Sequence, residues 1–149
     1  MRYTLLFCCV VLCLPPSTGQ AKETISGPIQ AEVVKVVDGD TIRVKAKIWL
    51  GLDKTIKVKF NGVQSPELYS PKCEYERELA KEARDVTANA IAGKPVTLID
   101  VQYGKYSDRV IANVLNHEGV DLNTFLFSKA LAQPTKTGKR MDWCGNGQK

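Results

Sequence analysis

The stretch from Ile56 to Glu67 constrains the chain more than any other. Ile56, Val58 and Phe60 alternate with Lys57, Lys59 and Asn61, the two-residue period of a strand with one buried and one wet face. Gly62 and Pro66 cannot continue a central strand, since one has no side chain to pack and the other no N–H for the ladder. The chain must therefore leave its sheet beside a lysine, an amide, a hydroxyl and a carboxylate: Lys59, Gln64, Ser65 and Glu67. A rigid strand delivering polar groups to a short loop is a common way to build a site. A solvated strand end with a proline turn is the plainer reading of the same residues.

The surrounding pattern supplies the rest of a small β structure. Ala31 to Val37 reads as a strand, Asp38-Gly39 as a tight turn, and Thr41 to Ile48 as a second strand. Ile42, Val44, Ala46 and Ile48 fall on one face, with Arg43, Lys45 and Lys47 on the other. A third strand, Thr55 to Val63, completes a meander. Side-chain parity puts Asp40 at the end of the apolar row, where a carboxylate needs a cation or several hydrogen bonds. Lys72 to Ala92 has helical periodicity, with Leu79, Ala83, Val86 and Ala90 as its apolar line. Val96 to Val101 and Val110 to Leu115 read as two more strands. Asp121 is placed to cap a helix from Leu122 to Ala132. Five strands with two or three helices predict an α+β chain built on a five-stranded OB-type β-barrel, an architecture whose open face binds oligonucleotides or oligosaccharides.

The first residues read differently. Met1-Arg2 precedes an apolar run from Tyr3 to Leu14, then Pro15-Pro16 and the small residues Gly19 and Ala21. This is the pattern of a secretory signal peptide over residues 1–21, too short to span a bilayer. Its removal would take away Cys8, Cys9 and Cys13 and leave Cys73 and Cys144. Two cysteines in an exported chain point to one disulfide tying the tail to the start of the long helix; two free thiols are the alternative. The expected layout is a signal peptide (1–21), a flexible leader (22–29), one domain (30–135) and a basic tail (136–149). Localisation would be secreted or periplasmic, without a transmembrane segment. The formal charge of +5 becomes +4 once Arg2 is lost, which suits a polyanionic partner. His117 is the only histidine, which argues against a histidine triad or a zinc centre.

Three segments in order make the sequence recognisable: Val37-Asp38-Gly39-Asp40-Thr41, Gly62-Val63-Gln64-Ser65-Pro66-Glu67-Leu68, and Lys105-Tyr106-Ser107-Asp108-Arg109-Val110. Together with the intervening helix, they resemble the staphylococcal-nuclease (thermonuclease-like) family over about residues 30 to 133. The cysteine pair resembles that of exported bacterial members. The resemblance implies a monomeric, calcium-dependent endonuclease that hydrolyses phosphodiester bonds in DNA and RNA. Carried over by position, it makes Lys59, Glu67 and Arg109 catalytic, with Glu67 the base for the attacking water and Arg109 on the phosphate. It makes Asp40, Gln64 and Ser65 the Ca2+ site, with Ser65 acting through its backbone carbonyl, and makes Lys105 and Tyr106 substrate-binding. The chemistry is coherent: hydrolysis needs an activated water and balanced phosphoryl charge, calcium takes oxygen ligands, and arginine matches phosphate with a planar fork.

Departures from the family pattern qualify this. Lysine stands at position 59 where arginine is usual, and glutamine at 64 where an aspartate ligand is usual, so metal binding is expected to be weakened. The alternative is a non-catalytic module on the same barrel. Its cations at 43–47 and 57–59 would then bind nucleic acid or an acidic polysaccharide of the cell envelope.

Overall fold

A computed structural model of the chain describes residues 23–104, 108–135 and 140–145. The elements run β1 (Thr24–Ile25), β2 (Ile29–Asp38), β3 (Thr41–Trp49), β4 (Leu52–Phe60), β5 (Val63–Gln64), α1 (Glu74–Ile91), β6 (Val96–Tyr103), β7 (Arg109–Leu115), α2 (Leu122–Ser128) and β8 (Gln133–Pro134). β2, β3 and β4 form the expected antiparallel meander. β7 then joins β4 in parallel, and β6 pairs with both β7 and β2. The ring β2-β3-β4-β7-β6 is therefore closed, and the molecule is the expected α+β, OB-type barrel with two helices among the described residues. β1 extends the outer edge of β6.

The alternation in β3 and β4 fills the barrel. Ile42, Val44, Val58 and Phe60 are buried and meet Leu98 of β6 and Val114 of β7. Burying each such side chain is worth roughly 1.5–3 kcal/mol. Register shifts between Val33 and Lys35 and between Val36 and Asp38 bend β2, as bulges do where a barrel must curl. The row expected to continue to Ile48 stops at Ala46, because the β3–β4 hairpin runs past the barrel and leaves Ile48 in solvent.

Three expected elements are corrected. The third strand ends at Phe60, because the chain turns at Asn61-Gly62, where Gly62 has a φ of 69°. Val63 and Gln64 then form a separate ladder with Gln133 and Pro134. The buried line of α1 is Glu76, Ala80, Ala83, Thr87 and Ile91, while Leu79, Val86 and Ala90 are only partly covered. The helix is thus turned by about one residue from the expected face, because its glutamate goes inward. Finally, α2 stops at Ser128, and Ala130 is left-handed (φ 57°). Asp121 caps it as expected, its carboxylate accepting from the N–H groups of Asn123 and Thr124 at 2.7 and 3.1 Å.

Candidate active site

Two turns and one strand end meet at one end of the barrel. The β2–β3 turn carries Asp38, Gly39 and Asp40, and α1 fixes it from behind. A Cβ on Gly39 would lie 2.6 Å from the Ala83 Cβ and 2.9 Å from the Ser65 Cβ, so only glycine lets helix, turn and loop approach this closely. The Thr87 hydroxyl donates to the Gly39 carbonyl at 2.7 Å. On the far side, Gly104 donates its N–H to the Arg109 carbonyl at 3.0 Å. Its own Cβ would lie 2.7 Å from that oxygen, which holds the start of β7 in place.

Between these supports lies a cleft of about 360 Å³ lined by Asp38, Asp40, Lys59, Gln64, Glu67 and Arg109 among others. Asp40, expected from strand parity at the end of the apolar row, is buried, and both of its carboxylate oxygens are engaged. Oδ1 accepts from the Thr41 hydroxyl at 2.9 Å. Oδ2 accepts from the Ser65 N–H at 2.8 Å and sits 2.7 Å from the Lys59 ammonium. Lys59 lies directly across the ladder from Thr41, which is why it reaches. Glu67 and Arg109 line the same cleft, half-buried, Arg109 as the first residue of β7. Lys105 and Tyr106 lie outside the described residues.

Gln64 also lines the cleft, with its amide oxygen accepting from the Met141 N–H at 3.2 Å. Ser65 meets Asp40 through its N–H. The donor set as arranged does not fit a calcium ion. The Asp40 carboxylate already faces an ammonium and an N–H, the Gln64 oxygen is engaged by the tail, and the described residues hold no cluster of three acidic, histidine or cysteine side chains placed for a metal.

Four contributors were not singled out from the sequence. Asp38 is buried in the wall of the cleft. Burial, then the negative charges of Asp40 and Glu67, push its carboxyl up to about 7, against the pull of the Gly39 and Leu68 N–H groups. Tyr69 stands exposed on the rim, and Arg140 lines the cleft from the tail. Glu76 is fully buried at the start of α1. It accepts from the Lys72 N–H at 2.6 Å, from Arg140 Nη2 at 3.0 Å and from the Glu67 N–H at 3.3 Å. It therefore fixes the loop that presents Glu67 and the arginine that faces it. The Cys73–Cys144 disulfide, with Cα atoms 6.1 Å apart, secures the same tail to the α1 N-cap. An acidic residue on the buried line of an amphipathic helix is the one sequence signal that could have pointed to Glu76. Nothing local marks Arg140.

Comparison with known proteins points to one family. A profile of the family described as staphylococcal nuclease homologues matches residues 57–142, more than half of the chain. An Escherichia coli protein described as an uncharacterized endonuclease is 26% identical over 98 residues, covering 66% of this chain and 56% of the relative. A protein of the same description from Escherichia coli O157:H7 gives the same figures. The chain thus spans a little over half the length of the curated relatives it matches.

Proposed function

Because the chain belongs to the staphylococcal nuclease homologue family, we propose that it is an endonuclease hydrolysing phosphodiester bonds of nucleic acid in this cleft. The observation that carries the reading is the convergence of Asp40, Lys59, Glu67 and Arg109, from four separate segments, on one cavity. Glu67 is the carboxylate placed to take a proton from an attacking water. Arg109 offers two parallel N–H donors to the phosphoryl oxygens, and Arg140 adds a second fixed positive charge at the rim. Lys59, tethered to Asp40, brings an ammonium to the floor where charge builds up. Tyr69 presents an exposed ring on which a base can stack.

Calcium was expected from the family likeness, and family members generally depend on it. Since the donors do not fit the ion here, no step is assigned to it, and calcium dependence is left to measurement. Export stands as part of the proposal on the sequence of residues 1–21 alone; mass spectrometry of the expressed protein should find a chain beginning at Lys22. A monomer is proposed as well, and sedimentation would show it.

The test is cleavage of plasmid DNA and of RNA by wild type, Glu67→Gln and Arg109→Lys, with calcium and with chelator. Removal of a general base typically costs 10²–10⁴-fold, so E67Q should lose at least about a hundredfold. R109K keeps the charge and loses the fork, and should also lose most activity. Wild-type rates in E67Q would overturn the proposal. Salt-sensitive binding of acidic polysaccharide by the wild type, with no cleavage, would replace it with the non-catalytic reading.

A further inference from the structure

The β3–β4 hairpin ends in a tip that neither the barrel nor the cleft uses. Ile48, Trp49, Leu50 and Leu52 are 54%, 73%, 89% and 56% exposed. Single exposed apolar residues are ordinary, but a contiguous apolar cluster marks an interaction surface. The turn does not need these residues. Gly51, with a φ of 75°, supplies the backbone geometry, and tight turns favour Gly, Asn, Asp or Ser over the leucine that stands at the other turn position, Leu50.

Beneath the tip the same hairpin is basic. Arg43, Lys45, Lys47, Lys54 and Lys57 stand against one acid of the hairpin, Asp53. Asp53 pairs with Lys45, and Lys57 pairs with Asp108 of another segment. Arg43, Lys47 and Lys54 make no ion pair among the described residues, and Lys47 and Lys54 are the two nearest the tip.

We propose that this hairpin docks on the surface of an anionic lipid bilayer. Trp49, Leu50 and their neighbours would enter the headgroup–acyl boundary, with Lys47 and Lys54 against the lipid headgroups. Tryptophan favours that boundary because its ring is apolar and its N–H is polar. Apolar burial joined to lysine–headgroup attraction is the recipe for peripheral membrane binding. Nucleic acid fits the tip less well, since three of its four side chains are aliphatic and offer neither stacking nor hydrogen bonds. The tip is also remote from the cleft: strand β3 runs from Thr41 to Trp49, about 26 Å at some 3.3 Å per residue. A bilayer at the tip therefore leaves the cleft open to solvent at the opposite end.

The experiment is co-sedimentation of the full chain beginning at Lys22 with phosphatidylcholine vesicles, with and without phosphatidylglycerol, followed also by tryptophan emission. The chain has two tryptophans, and Trp143 is already buried, so a blue shift reports Trp49. The expected result is pelleting and a blue shift with anionic vesicles, weakened by salt. Trp49→Ser/Leu50→Ser should lose about tenfold or more in binding, with unchanged thermal midpoint and DNA cleavage. Lys47→Glu/Lys54→Glu, which keeps the apolar tip, should lose binding to the same vesicles. Any one of four results would overturn the proposal: no pelleting, equal pelleting of either variant, a Trp49 shift with DNA but not with vesicles, or a tip-dependent dimer in solution instead of vesicle binding.

Discussion

At the scale of single residues, the contact that most shapes the chemistry is the 2.7 Å pair between Lys59 and Asp40. A calcium ion at Asp40 must displace an ammonium that cannot diffuse away. Sites with few charged ligands bind calcium at about 10⁻⁴–10⁻³ M. Calcium at about 0.1 mM is therefore expected to leave the wild-type thermal midpoint unchanged. Lys59→Ala vacates Asp40 and should make the midpoint rise with calcium. A calcium-dependent rise already present in the wild type, and no greater in the variant, would show that Lys59 does not guard the carboxylate. The place of Asp40 was legible because strand parity is local: two positions before Ile42 lies the same face. The engagements of Gln64 and Arg140 were not legible, because each depends on a tail about 70 residues away in sequence, and no periodicity reaches that far.

Among the elements, α1 organises the site. It closes on Gly39 through Ala83, bonds the turn through Thr87, and holds two backbone N–H groups and one arginine with Glu76. Periodicity found this helix and its approximate ends but set its face one residue off. Counting apolar residues leaves out a glutamate, and a buried glutamate is tolerated only where donors meet it. Burial alone would raise its carboxyl. The Lys72 N–H, Arg140 and the Glu67 N–H together outweigh burial and hold it below its ordinary 4.5. With the folded value below the unfolded one, Glu76 stabilises the fold above about pH 4.5, and that contribution is lost as pH falls through the folded value. Denaturant unfolding against pH should show this acid limb in wild type and a shallower one in Glu76→Gln. At neutral pH, Glu76→Ala leaves the Lys72 and Glu67 N–H groups without their acceptor and Arg140 with the Ser70 carbonyl alone, and is expected to cost about 3 kcal/mol. An unchanged unfolding midpoint for Glu76→Ala would refute that role.

For the whole molecule, the barrel could be foreseen because each strand carries its own alternation and each turn its own punctuation. The order of strands around the barrel came only with the structure, since a β4–β7 neighbourhood leaves no mark in either strand. The tail has the same character: its disulfide links positions 71 residues apart. Closing a loop of that length is worth about 4 kcal/mol in the chain-entropy account, so reduction should lower the thermal midpoint by roughly 10–15 °C. It should also raise KM more than it lowers kcat, as the segment that carries Arg140 is no longer tied covalently to α1. A reduced protein with an unaltered midpoint would mean that the tail adds nothing to the fold.

The parallel pairing of Lys57–Phe60 with Arg109–Ala112 has a temporal consequence. Lys59 and Arg109 reach the same cleft only when β4 and β7 pair, after everything between them has been synthesised. On the proposed function, a nascent polypeptide is thus expected to be silent until β7 has emerged, and a chain ending at Gly104 should cleave nothing. Recovery of cleavage during refolding should keep time with the slowest step of assembly, because long-range pairings of this kind form late.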